Sequence, residues 1–566
     1  WASTVGLSLA GVGVWVVLGA LLAAGIYGTW RHRPWRRDKR EKMEQTLLPH
    51  LALAVVLLLT LFTRLIQVRE LVVPAWVDSL HHTTFTSWIA ESGVLPEGEF
   101  HYHFGFHANA AVFTWLAGFT APQAVLLLGQ ILNFAAPLSA YALARELTGS
   151  RWAGVGAALV AGLLSTMPSY YVSWGRYTQL AGLVLLPLAC LATLKALSPG
   201  SPRRWWALAI VLVAGLALTH YRVLIFYALF WLASLPLAFW RERRAGLKRQ
   251  GSTALMLGVL TLLAILPWIA RIALRVLPHM NTLYGGWGSP EGYNTFPVEL
   301  LTTGWGIPLL YLAGAGALWG ILRRKGEVIM LVGWTGLWLL AANLRLVGLT
   351  DTFILHNSSV VISLWLPIAV LGGWLMSDLP VVLASALRRF APRVPWQQAL
   401  PYLLFVLALG MGYWGCWHLV DVVNPVTVLV EPEDIEAMRW IAENTPPGAR
   451  FLINSAVWQG DYHRGTDGGW WIPLLAHREV TLPCVQCFGD SISYRQEVAD
   501  FARLVEETES PDDPAFLERL TKEGVTHVYV GAHGGPLMPP ELDASPHYRS
   551  SYSYGPVRVY EFVPQP

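Results

Sequence analysis

Apolar runs of roughly 18 to 24 residues recur through the first three quarters of the chain, and each is long enough to cross the hydrocarbon core of a bilayer as one helix. A backbone in lipid must satisfy its own hydrogen bonds, so recurring runs of this kind leave little besides a helical bundle. We place spans at 5–29, 47–66, 125–146, 152–169, 178–197, 204–219, 223–240, 252–274, 301–322, 327–346, 359–378 and 398–418. Basic residues crowd Arg31 to Lys42, Arg241 to Arg249, Arg323 to Lys325 and Arg388 to Arg393, with smaller contributions at Arg145/Arg151 and Arg203/Arg204. If the spans alternate, all of these fall on one side, which the positive-inside rule makes the cytoplasmic side. Segment 67–124 and everything after about 419 then lie on the outer face. The apolar stretch Gly105 to Ala121 would invert every later loop if it crossed, so it reads as a re-entrant or interfacial helix lining a cavity.

Composition agrees: 54% of residues are hydrophobic and 14% charged, where soluble domains carry about 25% charge. A net charge of +3 implies no general attraction to nucleic acid. The first apolar run precedes its basic flank, the order of a retained span rather than a cleaved signal. The expected division is an extra N-terminal span with a basic cytoplasmic loop over 1–46, a transmembrane domain over 47–418 with its outer loop at 67–124, and an extracytoplasmic α/β domain over 419–566. In that last part helices are expected at Glu433 to Glu443, Tyr494 to Glu507 and Pro514 to Glu523, strands at Arg450 to Asn454 and Val525 to Val530, and a hairpin from Tyr548 to Val563. The fold class is thus a polytopic α-helical membrane protein of about twelve spans plus a C-terminal soluble α/β domain. Cys190 and Cys416 fall in or beside apolar runs, and Cys484 and Cys487 form a C-x-x-C pair that an oxidising outer face would permit to bridge.

The first outer loop carries the densest ionisable cluster, with Asp78, His81, His82, Glu91, Glu97, Glu99, His101, His103 and His107. A helix that starts near Asp78 and stops at Gly93 and Pro96 puts Asp78 and His82 one turn apart on one face. A carboxylate there can deprotonate an acceptor or cap its helix. Asp78, His82 and His107 are the ligands if a divalent metal (Mg, Mn or Zn) is held, although the His101-x-His103-x-x-x-His107 spacing matches no standard zinc site. Five arginines fall at the outer ends of spans: Arg176, Arg222, Arg271, Arg275 and Arg345. Their planar donor forks suit a lipid phosphate, and snorkelling to the interface is the plainer alternative. Arg345 lies late in an apolar run beside Asn343, where an unpaired charge requires an internal cavity or an anion. In the C-terminal part Asp467-Gly-Gly-Trp470-Trp471, with Asp461, His463 and His477 nearby, offers either exposed sugar-stacking rings or core tryptophans.

Several of these features resemble the GT-C superfamily of membrane glycosyltransferases, which includes oligosaccharyltransferases, protein mannosyltransferases, aminoarabinose transferases and actinobacterial arabinofuranosyltransferases. An outer loop opens on Trp76-Val-Asp78-Ser-Leu-His-His82, a second interfacial helix begins His103-Phe-Gly-Phe-His107, and Ala142-Leu-Ala-Arg-Glu-Leu-Thr-Gly-Ser-Arg151 is similar to a short inner turn between two family spans. By local motif the likeness covers about residues 70–180, and by architecture most of the chain. It implies inverting transfer of a sugar from a polyprenyl-phosphate donor to a glycan, protein or lipid acceptor on the outer face of a bacterial or archaeal plasma membrane. It gives Asp78 the role of catalytic base, with His82 beside it, makes Arg176, Arg222 and Arg345 the donor-phosphate ligands, and leaves His81, His103, His107, Trp470 and Trp471 for acceptor or sugar binding. No second acid adjoins Asp78 as it does in metal-dependent members; His81 and His82 stand there instead.

Three other readings compete. A polysaccharide polymerase or ligase would place its site in the later outer loop from Pro278 to Phe296, with Asn281, Tyr284, Trp287 and Glu291. A transporter of lipid-linked saccharides would carry polar residues through many spans and show paired halves, and neither pattern is evident. A non-catalytic subunit of a membrane complex would share the fold without the chemistry.

Overall fold

A computed structural model describes residues 1–32, 43–96, 102–279, 294–352, 354–393, 395–459, 462–484 and 492–564. Its helices in chain order include α1 (Val12–His32), α2 (Met43–Gln67), α3 (Trp76–Ser92), α4 (Gly105–Ala117), α5 (Ala121–Thr148), α6 (Arg151–Leu159), α7 (Tyr177–Leu197), α8 (Arg203–Thr219) and α9 (Tyr221–Ala264). Then follow α10 (Gly306–Leu322), α11 (Gly326–Ala342), α12 (Trp365–Phe390) and α13 (Trp396–Leu419). Among the described residues, six helices are long and apolar enough to cross a membrane: Leu47–Gln67, Ala121–Thr148, Tyr177–Leu197, Tyr221–Ala264, Asn357–Phe390 and Gln398–Leu419. Four more are apolar but shorter: Val12–Gly28, Arg151–Leu164, Gly306–Leu322 and Gly326–Ala342. The expected count of twelve is therefore not established. The spans expected at 223–240 and 252–274 fall largely on the long α9, which is broken by non-helical backbone at Glu242 and Arg243. Large apolar side chains such as Leu58, Phe62, Leu255, Tyr311, Val406 and Trp417 lie exposed on these helices, a surface that only lipid would solvate.

Small residues let the helices approach. A Cβ on Gly373 of α12 would lie 2.3 Å from the Ala153 carbonyl of α6, and one on Gly156 would lie 2.8 Å from the Cα of Gly373. Close crossing at small residues is how membrane helices gain contact where lipid removes the usual hydrophobic drive. A buried cation ties the same region together. Arg64 of α2 donates from Nε to Asn133 of α5 at 2.8 Å and from its terminal nitrogen to the Gly162 carbonyl, also at 2.8 Å. Gly162 lies in the π-helical turn Val160–Leu164, where the wider winding disturbs the regular ladder.

The expected interfacial helix is α4, whose 13 residues are too few to span. With α3 it precedes the α5 helix, which opens on a Thr120/Gln123 capping box.

The C-terminal part is α/β, close to expectation. Helix α14 (Pro432–Asn444) has its own capping box from Glu431 and Asp434. The strands are β1 (Arg450–Ile453), β2 (Ser455–Gln459), β3 (Tyr462–Gly465), β4 (Glu479–Val480), β5 (His527–Val530), β6 (Tyr548–Tyr554) and β7 (Val557–Phe562), with helices α15 (Ile492–Glu507) and α16 (Pro514–Lys522) before β5. Five strands form one sheet in the order β4-β1-β5-β7-β6, and β2 pairs with β3. Strand β1 runs parallel to β4 and β5, while β7 is antiparallel to β5 and β6. Cys484 is disulfide-bonded and Cys190 and Cys416 are free thiols; Cys487 lies outside the described residues. Val73, Val77 and Leu80 of the α3 region share one buried core with Leu429, Phe451, Trp470 and Trp471. Helix α3 is therefore held between the bundle and the α/β domain.

Candidate active site

Helix α3 ends as its sequence dictates, with Gly93 in the left-handed region at φ 71° and its N–H on the Ile89 carbonyl. At its start the N-cap is Ala75, without a side-chain cap bond. Asp78 is thus not the cap, and its carboxylate is turned to other use. Just before it, Trp76 holds a left-handed φ of 69°, a conformation that costs an L-residue roughly 1–2 kcal/mol. The Arg464 guanidinium of the α/β domain covers the Trp76 ring, 4.5 Å from its centroid. Across the site, the turn before α7 carries Gly175 at φ 63°, where a Cβ would lie 1.8 Å from Ser79 Oγ. That contact brings the next residue, Arg176, to Asp78: Nε donates to Oδ2 at 3.2 Å, with the side chains 25% and 17% exposed. Among the described residues, Asp78 Oδ1 accepts no hydrogen bond.

A second guanidinium stands close by. Arg222, near the start of α9, donates from Nε to the Ile354 carbonyl at 2.7 Å and from a terminal nitrogen to Ser359 Oγ at 3.4 Å. His356 lies within electrostatic reach of both Arg222 and Arg176, and its Nε2 is 3.1 Å from Ser359 Oγ. Gln179 fixes the Ser359 carbonyl and the Ser363 hydroxyl at 3.0 Å each. Two arginines, a histidine and hydroxyls thus gather from segments nearly two hundred residues apart, beside one carboxylate.

Histidines and tyrosines form the wall. His82 Nδ1 and His107 Nε2 are 3.0 Å apart, and the Tyr102 ring lies 5.6 Å from His107. His103 lies 4.9 Å from the ring of His220, which stacks on Tyr221. Burial holds His82 to about 3, well below the usual imidazole range, so the His82/His107 pair is neutral. His81 points elsewhere. Its ring meets Trp470 edge-on at 5.7 Å and Trp458 at 6.3 Å in the α/β domain, and among the described residues neither nitrogen has a hydrogen-bond partner. Burial also holds it at about 3, with Asp78 opposing that shift only in part.

The geometry corrects three expectations. Arg345 is not inside a span: α11 stops at Ala342, and Arg345 sits in the 3-10 turn Leu344–Val347, 65% exposed and 3.6 Å from Asp351. The polar knot of Asn343, Asn357 and Asn294 ends the helix there, because reciprocal amide bonds of 2.7 and 2.9 Å join Asn343 to Asn357. Trp470 and Trp471 are not exposed faces; they are 1% and 0% exposed within the core. The Asp467 motif is structural, since Asp467 accepts from Gly469 N, Gly531 N and Asn454 Nδ2 at 2.9, 2.7 and 3.1 Å. Burial raises that carboxyl up to about 7.

No three metal-binding side chains converge among the described residues; Asp78 is engaged by a guanidinium, and His82 and His107 are spent on each other. Of the other named positions, Arg271 covers the Phe104 ring at 5.3 Å. Glu97, Glu99, His101, Asp461, Asn281, Tyr284, Trp287, Glu291 and the Arg275 side chain lie outside the described residues.

Comparison with known proteins identifies the fold. Residues 1–563 match a family of unknown function (DUF6541). No curated protein matches the sequence. Among solved structures, the archaeal oligosaccharyltransferase AglB from Archaeoglobus fulgidus, in complex with an inhibitory peptide and a dolichol-phosphate, aligns at TM-score 0.55 and 12% identity over 90% of this chain and 73% of its own. ArnT from Cupriavidus metallidurans bound to undecaprenyl phosphate aligns at 0.56 and 14%, over 91% and 97%. Arabinofuranosyltransferase AftD from Mycobacteria aligns at 0.54 and 16%, over 90% of this chain and 41% of that one. The fold is that of the GT-C glycosyltransferases, as the local motifs implied.

Proposed function

Because the chain belongs to the family of unknown function DUF6541 and carries a GT-C fold, we propose that it transfers a sugar from a polyprenyl-phosphate donor to an acceptor at the outer face of a plasma membrane. The bundle over 47–418 holds the donor, and 419–566 is the extracytoplasmic domain above it. The observation that carries this reading is the ion pair of the largely buried Asp78 carboxylate with Arg176, with Arg222 reaching the same His356 as Arg176 does. Polyprenyl phosphates in two structures of the same fold support the donor class.

The mechanism uses only this chain's side chains. Arg176 and Arg222 each keep unbonded N–H groups among the described residues, a donor array that suits a phosphate. Asp78 offers Oδ1 to the acceptor hydroxyl. As the acceptor oxygen bonds to the anomeric carbon, its proton passes to Asp78 and the bond from that carbon to the phosphate oxygen breaks, with inversion. The electron pair leaves on the polyprenyl phosphate, where Arg176 and Arg222 stabilise the developing charge. Arg176 thereby serves both partners, fixing the Asp78 carboxylate before reaction and facing the leaving group during it. The neutral His82/His107 pair sets the wall against which α3 and α4 pack.

The test is release of polyprenyl phosphate by the purified protein in nanodiscs from a panel of polyprenyl-phosphate sugars, with and without EDTA. Release that is insensitive to EDTA is expected. Release abolished by EDTA would overturn the metal-free mechanism, and no release from any donor would overturn the reading itself.

A further inference from the structure

We infer that Asn133, held in one sense by Arg64, is a positioning residue for Arg176: it fixes the chain segment that delivers that guanidinium to Asp78. Its effect on rate rests on the glycosyl-transfer reading above. Arg64 and Asn133 are both fully buried. The hydrogen bonds of Arg64 go to an amide and a backbone carbonyl, and its Nη1 has no partner among the described residues. A charge so placed among membrane helices is costly, and where one occurs it serves a defined task. The task follows from donor and acceptor chemistry. A guanidinium only donates, while a carboxamide has one end that accepts and one that donates. Arg64 Nε, at 2.8 Å, therefore admits only Asn133 Oδ1, which turns Nδ2 to the far side. There Nδ2 donates to two consecutive carbonyls, Pro168 O and Ser169 O, at 3.2 Å each.

Those carbonyls begin the path to the site. The short helical turns Thr166–Ser169 and Tyr171–Trp174 lead from them into Gly175 and Arg176. Other contacts tether the same segment by its side chains. Gln67, about one turn beyond Arg64 on α2, donates to Ser169 Oγ at 2.7 Å. The Tyr171 hydroxyl donates to the Ile362 carbonyl at 3.2 Å. Asn424, beyond α13, donates to the Tyr170 hydroxyl at 3.2 Å and to Ser173 Oγ at 3.0 Å. Side chains held in this way can turn and still keep their bonds, whereas Asn133 grips the backbone itself. Loss of its two donors therefore shifts the segment without detaching it. A shift there carries Arg176 Nε away from Asp78 Oδ2, which it meets at 3.2 Å. Without Arg64 the amide is free to flip, and its oxygen would then face the two carbonyls.

The experiment uses the full chain in nanodiscs and compares wild type, Asn133→Asp, Arg176→Lys and the double variant for release of polyprenyl phosphate. Asn133→Asp keeps the shape of the side chain and gives Arg64 a carboxylate partner, but presents oxygen to the Pro168 and Ser169 carbonyls. It should fold, with kcat lowered by about tenfold to a hundredfold. In the Arg176→Lys background the same change should alter kcat by less than about twofold, because effects exerted through one residue do not add. A role in packing alone would give equal losses in both backgrounds. Backbone amide exchange, followed by mass spectrometry, should quicken over 169–176 in Asn133→Asp and stay unchanged elsewhere in the bundle. If Asn133→Asp does not fold, Asn133→Ala removes the same donors without a new charge and must show the same pattern. Wild-type kcat in a folded Asn133 variant, or equal losses in the two backgrounds, would overturn the proposal. If the wild type releases no polyprenyl phosphate from any donor, the transfer reading falls and exchange alone decides. Faster exchange over 169–176 then upholds the positioning role, and unchanged exchange overturns it.

Discussion

Gly175→Ala probes the spacing that brings Asp78 to Arg176. Two costs follow from the structure. The backbone at φ 63° is left-handed, which an L-residue adopts at a cost of roughly 1–2 kcal/mol. The new Cβ would lie 1.8 Å from Ser79 Oγ and 2.9 Å from both Ser79 Cβ and Ser79 N. Turning the hydroxyl away relieves only the first contact. The other two require α3 and the turn to part by about 0.5–1 Å to regain ordinary separation. Such a shift breaks the 3.2 Å bond between Arg176 and Asp78, and a displacement of about 1 Å at reacting groups costs about 10²-fold in rate. The expected result is a protein that still folds, with unfolding lowered by a few degrees, and a kcat for polyprenyl-phosphate release reduced about a hundredfold with donor KM changed little. Thermal unfolding in the same nanodiscs separates the two effects. A folded Gly175→Ala protein with wild-type kcat would refute the claim that this contact sets the catalytic geometry.

Other consequences follow from the same geometry. Arg222→Lys keeps the charge but loses the fork held by Ile354 O and Ser359 Oγ; KM for the donor should rise about tenfold in steady-state release assays, and an unchanged KM would remove Arg222 from the phosphate site. His81→Phe removes two orphaned nitrogens while keeping a ring against Trp470 and Trp458, so thermal stability at pH 7 should hold or rise. The same variant carries a pH signature. A folded-state imidazole held at about 3, against roughly 6.5 unfolded, contributes stability above pH 6.5 that is lost as pH falls toward 3. At pH 5 that loss is up to about 2 kcal/mol, so the variant should gain on wild type as pH drops from 7 to 5; equal slopes would mean that His81 is not buried neutral.

Much of the fold was legible because periodicity and punctuation agree locally. The limits of α3 follow from Gly93, and α4 stands out because a crossing at Gly105 would have inverted every basic loop. The hairpin β6–β7 and helices α14 and α16 lie within a residue or two of expectation. Arg345 was misplaced because Leu344, Leu346 and Val347 continue the apolar run, while the asparagine knot that ends the helix depends on Asn294 and Asn357 far along the chain. His356, His220, Tyr102 and Tyr221 were missed for the same reason. Each is unremarkable in its own segment and becomes part of the site only when α3, α4, α8, α9 and the 351–359 segment converge. The one local signal was the polar run His356-Asn-Ser-Ser359 opening an otherwise apolar helix. Burial of Trp470 and Trp471 could not be read from composition, since tryptophan serves cores and sugar sites alike.

The most direct measurement compares wild type with Asp78→Asn in nanodiscs for release of polyprenyl phosphate and for binding of the donor. The account predicts release reduced by at least about a hundredfold in the variant, with donor affinity retained because Arg176 and Arg222 remain. Release by Asp78→Asn at the wild-type rate would contradict it and take Asp78 out of the chemistry.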